Sequence, residues 1–298
     1  MLRLLLLIGV LLAGAAWFIS APRPLPEATF AGLLGNTTRG EAVFWAAGCA
    51  SCHMADKATG DAQLVLSGGK KFPSPFGTFT APNISADKDQ GIGAWTVADL
   101  GNALMRGVGR DGEHLYPALP YAAYTRMARQ DVADLHAFLQ TLPADATPSQ
   151  PHDLGFPFNI RRSLGFWKLL FLKEDWILAG DLPAPENRGR VIVEAMAHCG
   201  ECHTPRNLLG GLQTSAWLGG APNPSGKGTI PNITPGALEW TEGEIVEYLT
   251  TGFTPDFDSA GGLMAEVVEN MARLPESDRA AVAAYLKRVP AVAQVATE

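Results

Sequence analysis

The sequence has 298 residues, 47% of them apolar, and 30 Asp plus Glu against 23 Lys plus Arg give a formal charge of -7. Such a composition folds around a core and excludes wholesale disorder, while the deficit of basic residues excludes a nucleic-acid binder, which needs a basic stripe against phosphates. Four cysteines are too few to staple a miniature fold, so their placement carries the information.

The chain opens with Arg3 and an apolar run from Leu4 to Ile19, closed by Pro22, Arg23, Pro24 and Pro26. As a helix from Leu2 it reaches about 27 Å, near the thickness of a hydrocarbon core. Residues 1–21 are therefore either a membrane anchor, with Trp17 and Phe18 at the interface, or a secretory signal cleaved at Ala13-Gly14-Ala15. Both readings export the rest of the chain.

The exported part contains one module twice. Arg39-Gly40 opens a helical stretch (Ala42, Val43, Phe44, Trp45) that runs into Cys49-Ala50-Ser51-Cys52-His53, and Arg188-Gly189 opens Val191, Ile192, Val193 into Cys199-Gly200-Glu201-Cys202-His203. The two pentapeptides use every cysteine. Pro82-Asn83-Ile84 recurs as Pro231-Asn232-Ile233, and Trp95-Thr96 as Trp240-Thr241, in the same order. Each Trp-Thr starts a helix: Thr96 and Thr241 are N-caps with Asp99 and Glu244 three residues on, and Gly107 and Gly252 end the helices. The last helices match without gaps, Met127–Pro143 over Leu274–Pro290, with apolar residues at helical intervals. No long stretch alternates like a strand. The reading is all-α: two small domains, 36–145 and 186–292, joined by 146–185. That joining segment is proline-rich at its ends and apolar at its centre, with Arg161, Arg162 and Lys168. It is read as a linker packed over both domains, or alternatively as a membrane-surface or partner-docking segment.

Two cysteines separated by two residues can add across the vinyl groups of one protoporphyrin, and the adjoining histidine then reaches the iron from one axial face. C-x-x-C-H therefore reads as covalent haem attachment, here of two haem c groups through Cys49, Cys52, Cys199 and Cys202, with His53 and His203 on iron. A zinc site would require the two pairs to meet, and local disulfides would leave the histidines unexplained.

Each repeat resembles a class I cytochrome c domain. The pair is similar to the membrane-anchored cytochrome c subunits of periplasmic alcohol, gluconate, aldehyde and nicotinate dehydrogenases, on Pro82-Asn83-Ile84, Gly91-Ile92-Gly93-Ala94-Trp95, His114 to Tyr121, Phe156-Pro157-Phe158-Asn159, Trp167 to Phe171 and Met264 to Val268. The resemblance implies two tandem domains after an N-terminal hydrophobic helix, on the periplasmic side of the bacterial inner membrane or soluble in the periplasm after cleavage. Electrons would come from a dehydrogenase catalytic subunit and pass to a quinone, a terminal oxidase or another cytochrome. It also implies a methionine from the loop before the last helix as sixth iron ligand: Met264 in domain two, with Met271 as core filler. The matching position in domain one is Leu119, which cannot ligate. Met127 is the nearest thioether downstream, followed by His114 or Met105, or the site is open. An open site would favour a dihaem peroxidase, the alternative function. Asn83 and Asn232 either bond a propionate or cap a turn.

Overall fold

A computed structural model describes residues 1–223 and 228–293. Helix α1, Leu2–Ile19, has none of its residues buried and meets the rest of the chain at its last turn, and it is long and apolar enough to cross a membrane. Beyond it the chain takes up one helical arrangement twice. The first copy comprises α2 (Thr37–Ala46), α3 (Cys49–His53), α4 (Val97–Arg106), α5 (Tyr121–Tyr124) and α6 (Arg129–Leu139). After α7 (Leu164–Phe171) come α8 (Ala184–Arg190), α9 (Gly200–His203), α10 (Glu242–Thr251), α11 (Leu263–Ala272) and α12 (Glu276–Arg288). The expected Trp-Thr signals operate in both copies. Thr96 and Thr241 each accept from the amide three residues on, and Asp99 and Glu244 accept from the cap amide in return. Gly107 and Gly252 stop the helices at φ of 58° and 80°, backbone that a side chain would strain.

The all-α expectation holds, with a small addition. Strands β1 (Lys71–Ser74) and β2 (Gly77–Thr80) form a hairpin after the first pentapeptide, and β3 (Asp153–Leu154) pairs with β2. A two-residue pair, β4 (Ala221–Pro222) and β5 (Thr229–Ile230), stands at the corresponding place in the second copy. The start of the joining segment is thus tied to the first copy. There, Thr80 donates its amide to His152 Nδ1 (3.1 Å), and Asn83 donates its amide to Ser149 Oγ (2.9 Å) and its side-chain nitrogen to the Asp145 and Thr147 carbonyls. Phe30, ahead of the expected start at 36, is also buried against α4 at Gly101.

Each copy is built on a crossing of its first and last helices, α2 over α6 and α8 over α12, and glycine sets how close they come. A Cβ on Gly40 would lie 2.0 Å from the Asp134 carbonyl oxygen, and one on Gly189 would lie 1.9 Å from that of Ala281. Arg39 and Arg188, just before these glycines, clamp the crossings through Asp134 (2.6 Å) and Asp278 (2.7 Å). The second copy has one residue more between its Arg-Gly and its pentapeptide. The extra residue is absorbed as a π-helical turn over Val191–Met196, where the Ala197 amide reaches back to Ile192.

That turn brings Glu194 into the core, where it is almost fully buried. Its carboxyl oxygens accept from the Ile177 and Leu178 amides (2.6 and 3.0 Å) and from the Tyr285 hydroxyl. Burial and then Glu194 raise the Tyr285 phenol well above its ordinary pKa, which keeps it a donor. In the first copy the same slot holds Phe44 against Phe138, with ring centroids 5.2 Å apart. Glu194→Ala orphans three donors at once, the buried Tyr285 hydroxyl and the half-buried Ile177 and Leu178 amides, so it is expected to lower stability by about 3 kcal/mol, against about 1 kcal/mol for Tyr285→Phe. Chemical unfolding of the haem-loaded protein checks the ratio.

Candidate functional site

Both pentapeptides sit on a short helix entered through a left-handed residue. In the first copy this is Gly48 (φ 63°); in the second it is His198 (φ 43°), whose ring packs edge-on to Tyr124 at 5.7 Å. A left-handed non-glycine residue costs on the order of 1 kcal/mol, and the surrounding contacts hold it there. The turn redirects the chain so that the two cysteines and the histidine project from one helical turn.

His53 Nδ1 lies 2.8 Å from the Pro82 carbonyl oxygen, and His203 Nδ1 lies 2.8 Å from that of Pro231. A carbonyl only accepts, so in each ring Nδ1 carries the proton and Nε2 keeps its lone pair. Burial lowers the pKa of both rings against the raising effect of that bond, which favours neutral imidazole. A bond of this kind on the far ring nitrogen is what aims a metal-ligating histidine. The prolines that supply the carbonyls are those of the repeated Pro-Asn-Ile motif, so the motif has a function at the site that the sequence reading did not see. Asn83 and Asn232, one residue on, are turn caps: each side-chain oxygen accepts from the amide two residues ahead, and each side-chain nitrogen bonds carbonyls of its own copy's C-terminal tail.

All four cysteines are free. Burial pushes Cys49 and Cys199 up to about 12 and Cys52 to about 11, so they stand as neutral thiols. Among the described residues no group of three or more His, Cys, Asp or Glu converges as a metal site. That leaves the zinc reading without its ligand set. Paired thiols beside an imidazole with a free, aimed Nε2 are the donor set that a covalently attached haem requires.

The sixth-ligand candidates fall in different settings. Met264 lies in the first turn of α11, half-buried against the core, rather than in a loop. Leu119, its counterpart, stands just before α5; the copies share register there, since the bridge Val108 to His114 is matched by Phe253 to Ser259. Met127 is buried in the first core, as is Leu274 at the matching position of the second. His114 is occupied elsewhere: its Nε2 meets the Ser20 carbonyl (2.8 Å) and its Nδ1 meets Lys168 Nζ (3.0 Å). His136 and His152 also bond backbone groups.

The pentapeptides are brought together by an exchange of contacts between the copies. Helix α11 lies against the first: Asn270 Nδ2 donates to Ser51 Oγ (2.8 Å), Glu266 pairs with Lys70 (2.7 Å), Lys70 also donates to the Ser51 carbonyl (2.8 Å), and Arg273 stacks on Trp45 at 4.0 Å. In return α5 lies against the π-helical turn before the second pentapeptide. Sequence reasoning missed Lys70, Glu266 and Asn270 because no single-copy pattern marks a contact made between copies.

The chain matches known proteins along nearly its whole length. Residues 37–143 match the family model described as Cytochrome c. A "Diheme cytochrome c-type" protein of Cereibacter sphaeroides is 58% identical over 285 residues, which cover 95% of this chain and 96% of that protein. The fructose dehydrogenase cytochrome subunit of Gluconobacter japonicus is 40% identical over 87% of this chain, and the cytochrome c subunit of the quinone alcohol dehydrogenase of Gluconobacter oxydans 32% over 85%. This chain spans about half the length of those two subunits (54% and 55%). The repeated haem-attachment geometry and this similarity agree that the chain belongs to the cytochrome c family, as a dihaem member that carries two covalently bound haem c groups and transfers electrons.

Proposed function

We propose that residues 36–145 and 186–292 each hold one haem, through Cys49 and Cys52 with His53 and through Cys199 and Cys202 with His203. The chain then relays electrons from a periplasmic dehydrogenase catalytic subunit to a quinone, a terminal oxidase or another cytochrome. Helix α1 holds it to the periplasmic face of the bacterial inner membrane. The observation that carries the relay is the exchange of α11 and α5 between the copies, which keeps two one-electron centres in a single body. Each haem supplies a reversible one-electron centre; the protein supplies orientation, burial and axial ligands. The similarity to dehydrogenase cytochrome subunits supports the choice of donor, and nothing in the comparisons supports the peroxidase alternative.

Met264 is assigned as sixth ligand of the second haem, and Met127, the nearest thioether after Leu119, as that of the first. A methionine sulfur opposite histidine raises the potential. Axial ligands span roughly 0.8 V in all, so Met264→Ala is expected to lower one of the two potentials by on the order of 0.1 V and leave the other. Redox titration of the purified protein reads both. Ferric and ferrous spectra with and without carbon monoxide, together with a haem count, test the relay as a whole. Two haems without a carbon monoxide shift support it, whereas carbon monoxide binding to the first haem would displace Met127 and move peroxide chemistry ahead. Co-purification of a dehydrogenase with the full chain tests the donor.

A further inference from the structure

The segment between the copies presents an apolar surface that the two copies leave partly open. Phe156 is 80% exposed, and Phe158, Ile160, Phe166, Leu169 and Leu170 each keep about half their surface in the open. Large exposed apolar bands on water-soluble bodies mark contact surfaces. What distinguishes this one is its place, because it is bolted to the end of α1. A Cβ on Gly165 in α7 would lie 2.2 Å from the Ser20 carbonyl oxygen, and Ser20 is fully buried by the contact. Arg162 donates to the Trp17 carbonyl and to Ser20 Oγ, and its guanidinium lies 4.0 Å from the centre of the Trp17 ring. Arg161 anchors the other side, donating to the His114 carbonyl (2.9 Å) and stacking on Tyr116 at 4.7 Å.

A segment packed on the last turn of a membrane-crossing helix must lie at the height where that helix leaves the hydrocarbon, because helices in contact are separated by only about 10 Å. Aromatic residues and leucines in a short helix at that level, with Arg161 and Arg162 just before it, are the composition of an interfacial element. We propose that residues 156–172 lie in the lipid interface beside the exit of α1, as a second membrane contact that fixes the orientation of the haem-carrying body toward the bilayer. The inference rests on the reading of α1 as an anchor. A single helix would act as a swivel; a helix with an apolar shelf beside it acts as a bracket.

The test uses the full haem-loaded chain in phosphatidylcholine–phosphatidylglycerol vesicles that contain a phospholipid with a photoactivatable carbene precursor high on its acyl chain. Cross-linked lipid is then mapped by peptide mass spectrometry. Label is expected in residues 1–19 and in residues 156–172, and Phe166→Ser combined with Leu170→Ser should lose it from the second region alone, with both haem spectra unchanged. Label in 1–19 only overturns the shelf and leaves the anchor; the patch then faces a protein partner or water. Label in 156–172 only overturns the anchor and keeps the interfacial contact. Absence of label from both overturns both.

Discussion

Replacing His53 by alanine is expected to remove the low-spin signal of one haem and leave that of the other, and His203→Ala should do the converse. The expectation follows from duplicated, self-contained histidine settings: each ring is oriented by a carbonyl of its own copy, Pro82 for His53 and Pro231 for His203. The thioether links do not involve the ring, so the haem count of the denatured protein should remain two in both variants. About half of the native low-spin intensity is therefore lost in each. Optical and electron-paramagnetic spectra of the two proteins read this directly. Loss of both signals from either single change would mean that the exchanged contacts of α5 and α11, and not the local carbonyls, hold the iron ligands.

A comparably large effect is expected at the helix crossings. In Gly40→Ala the new methyl meets the Asp134 carbonyl oxygen at 2.0 Å, and in Gly189→Ala that of Ala281 at 1.9 Å, with the Cβ atoms of Phe138 and Tyr285 also inside contact distance. Backbone cannot swing aside as a flexible side chain would, so the helices must part, and the Arg39 and Arg188 clamps stretch with them. Overpacking of this kind costs roughly 1–3 kcal/mol and sometimes more. At about 4 °C per kcal/mol for a domain of this size, each variant should melt roughly 4–12 °C lower. Gly155→Ala, where an added methyl meets nothing within 4 Å, is the matched control and should melt with the parent. Melting curves of the haem-loaded proteins decide; an unchanged midpoint in either crossing variant would falsify the close approach.

What was legible in the sequence is local. The pentapeptides, the capping boxes at Thr96 and Thr241 and the glycine stops at Gly107 and Gly252 depend on residues within a few positions of each other, and the caps and stops stand as read. The hairpin over 71–80 was not legible because each strand has four residues and β1 contains Pro73, a poor strand residue. Met264 was expected in a loop and begins a helix, since it forms with Val267 and Met271 an apolar stripe that α11 packs against the core. The Pro82 and Pro231 carbonyls were invisible for a different reason: a backbone acceptor has no signature in residue type. Ser51 with Asn270, and Lys70 with Glu266, pair across some 200 residues and follow only from the way the copies dock.

The two fillings of one core slot, Phe44 with Phe138 and Glu194 with Tyr285, bear on how this duplicated gene can change. Gene conversion tends to homogenise tandem copies, but here a tract that carried α6 into the place of α12 would set Phe138 opposite Glu194 and leave a buried carboxyl group without its phenol. The reverse tract would bring a phenol hydroxyl against Phe44 with no acceptor. The first exchange orphans the buried Trp217 indole N–H, which donates to the Tyr285 hydroxyl, and the second buries an unpaired hydroxyl; each costs about 1–3 kcal/mol. Selection against such recombinants insulates the halves from each other, so that two sequences of common descent are free to diverge into two unequal haem environments.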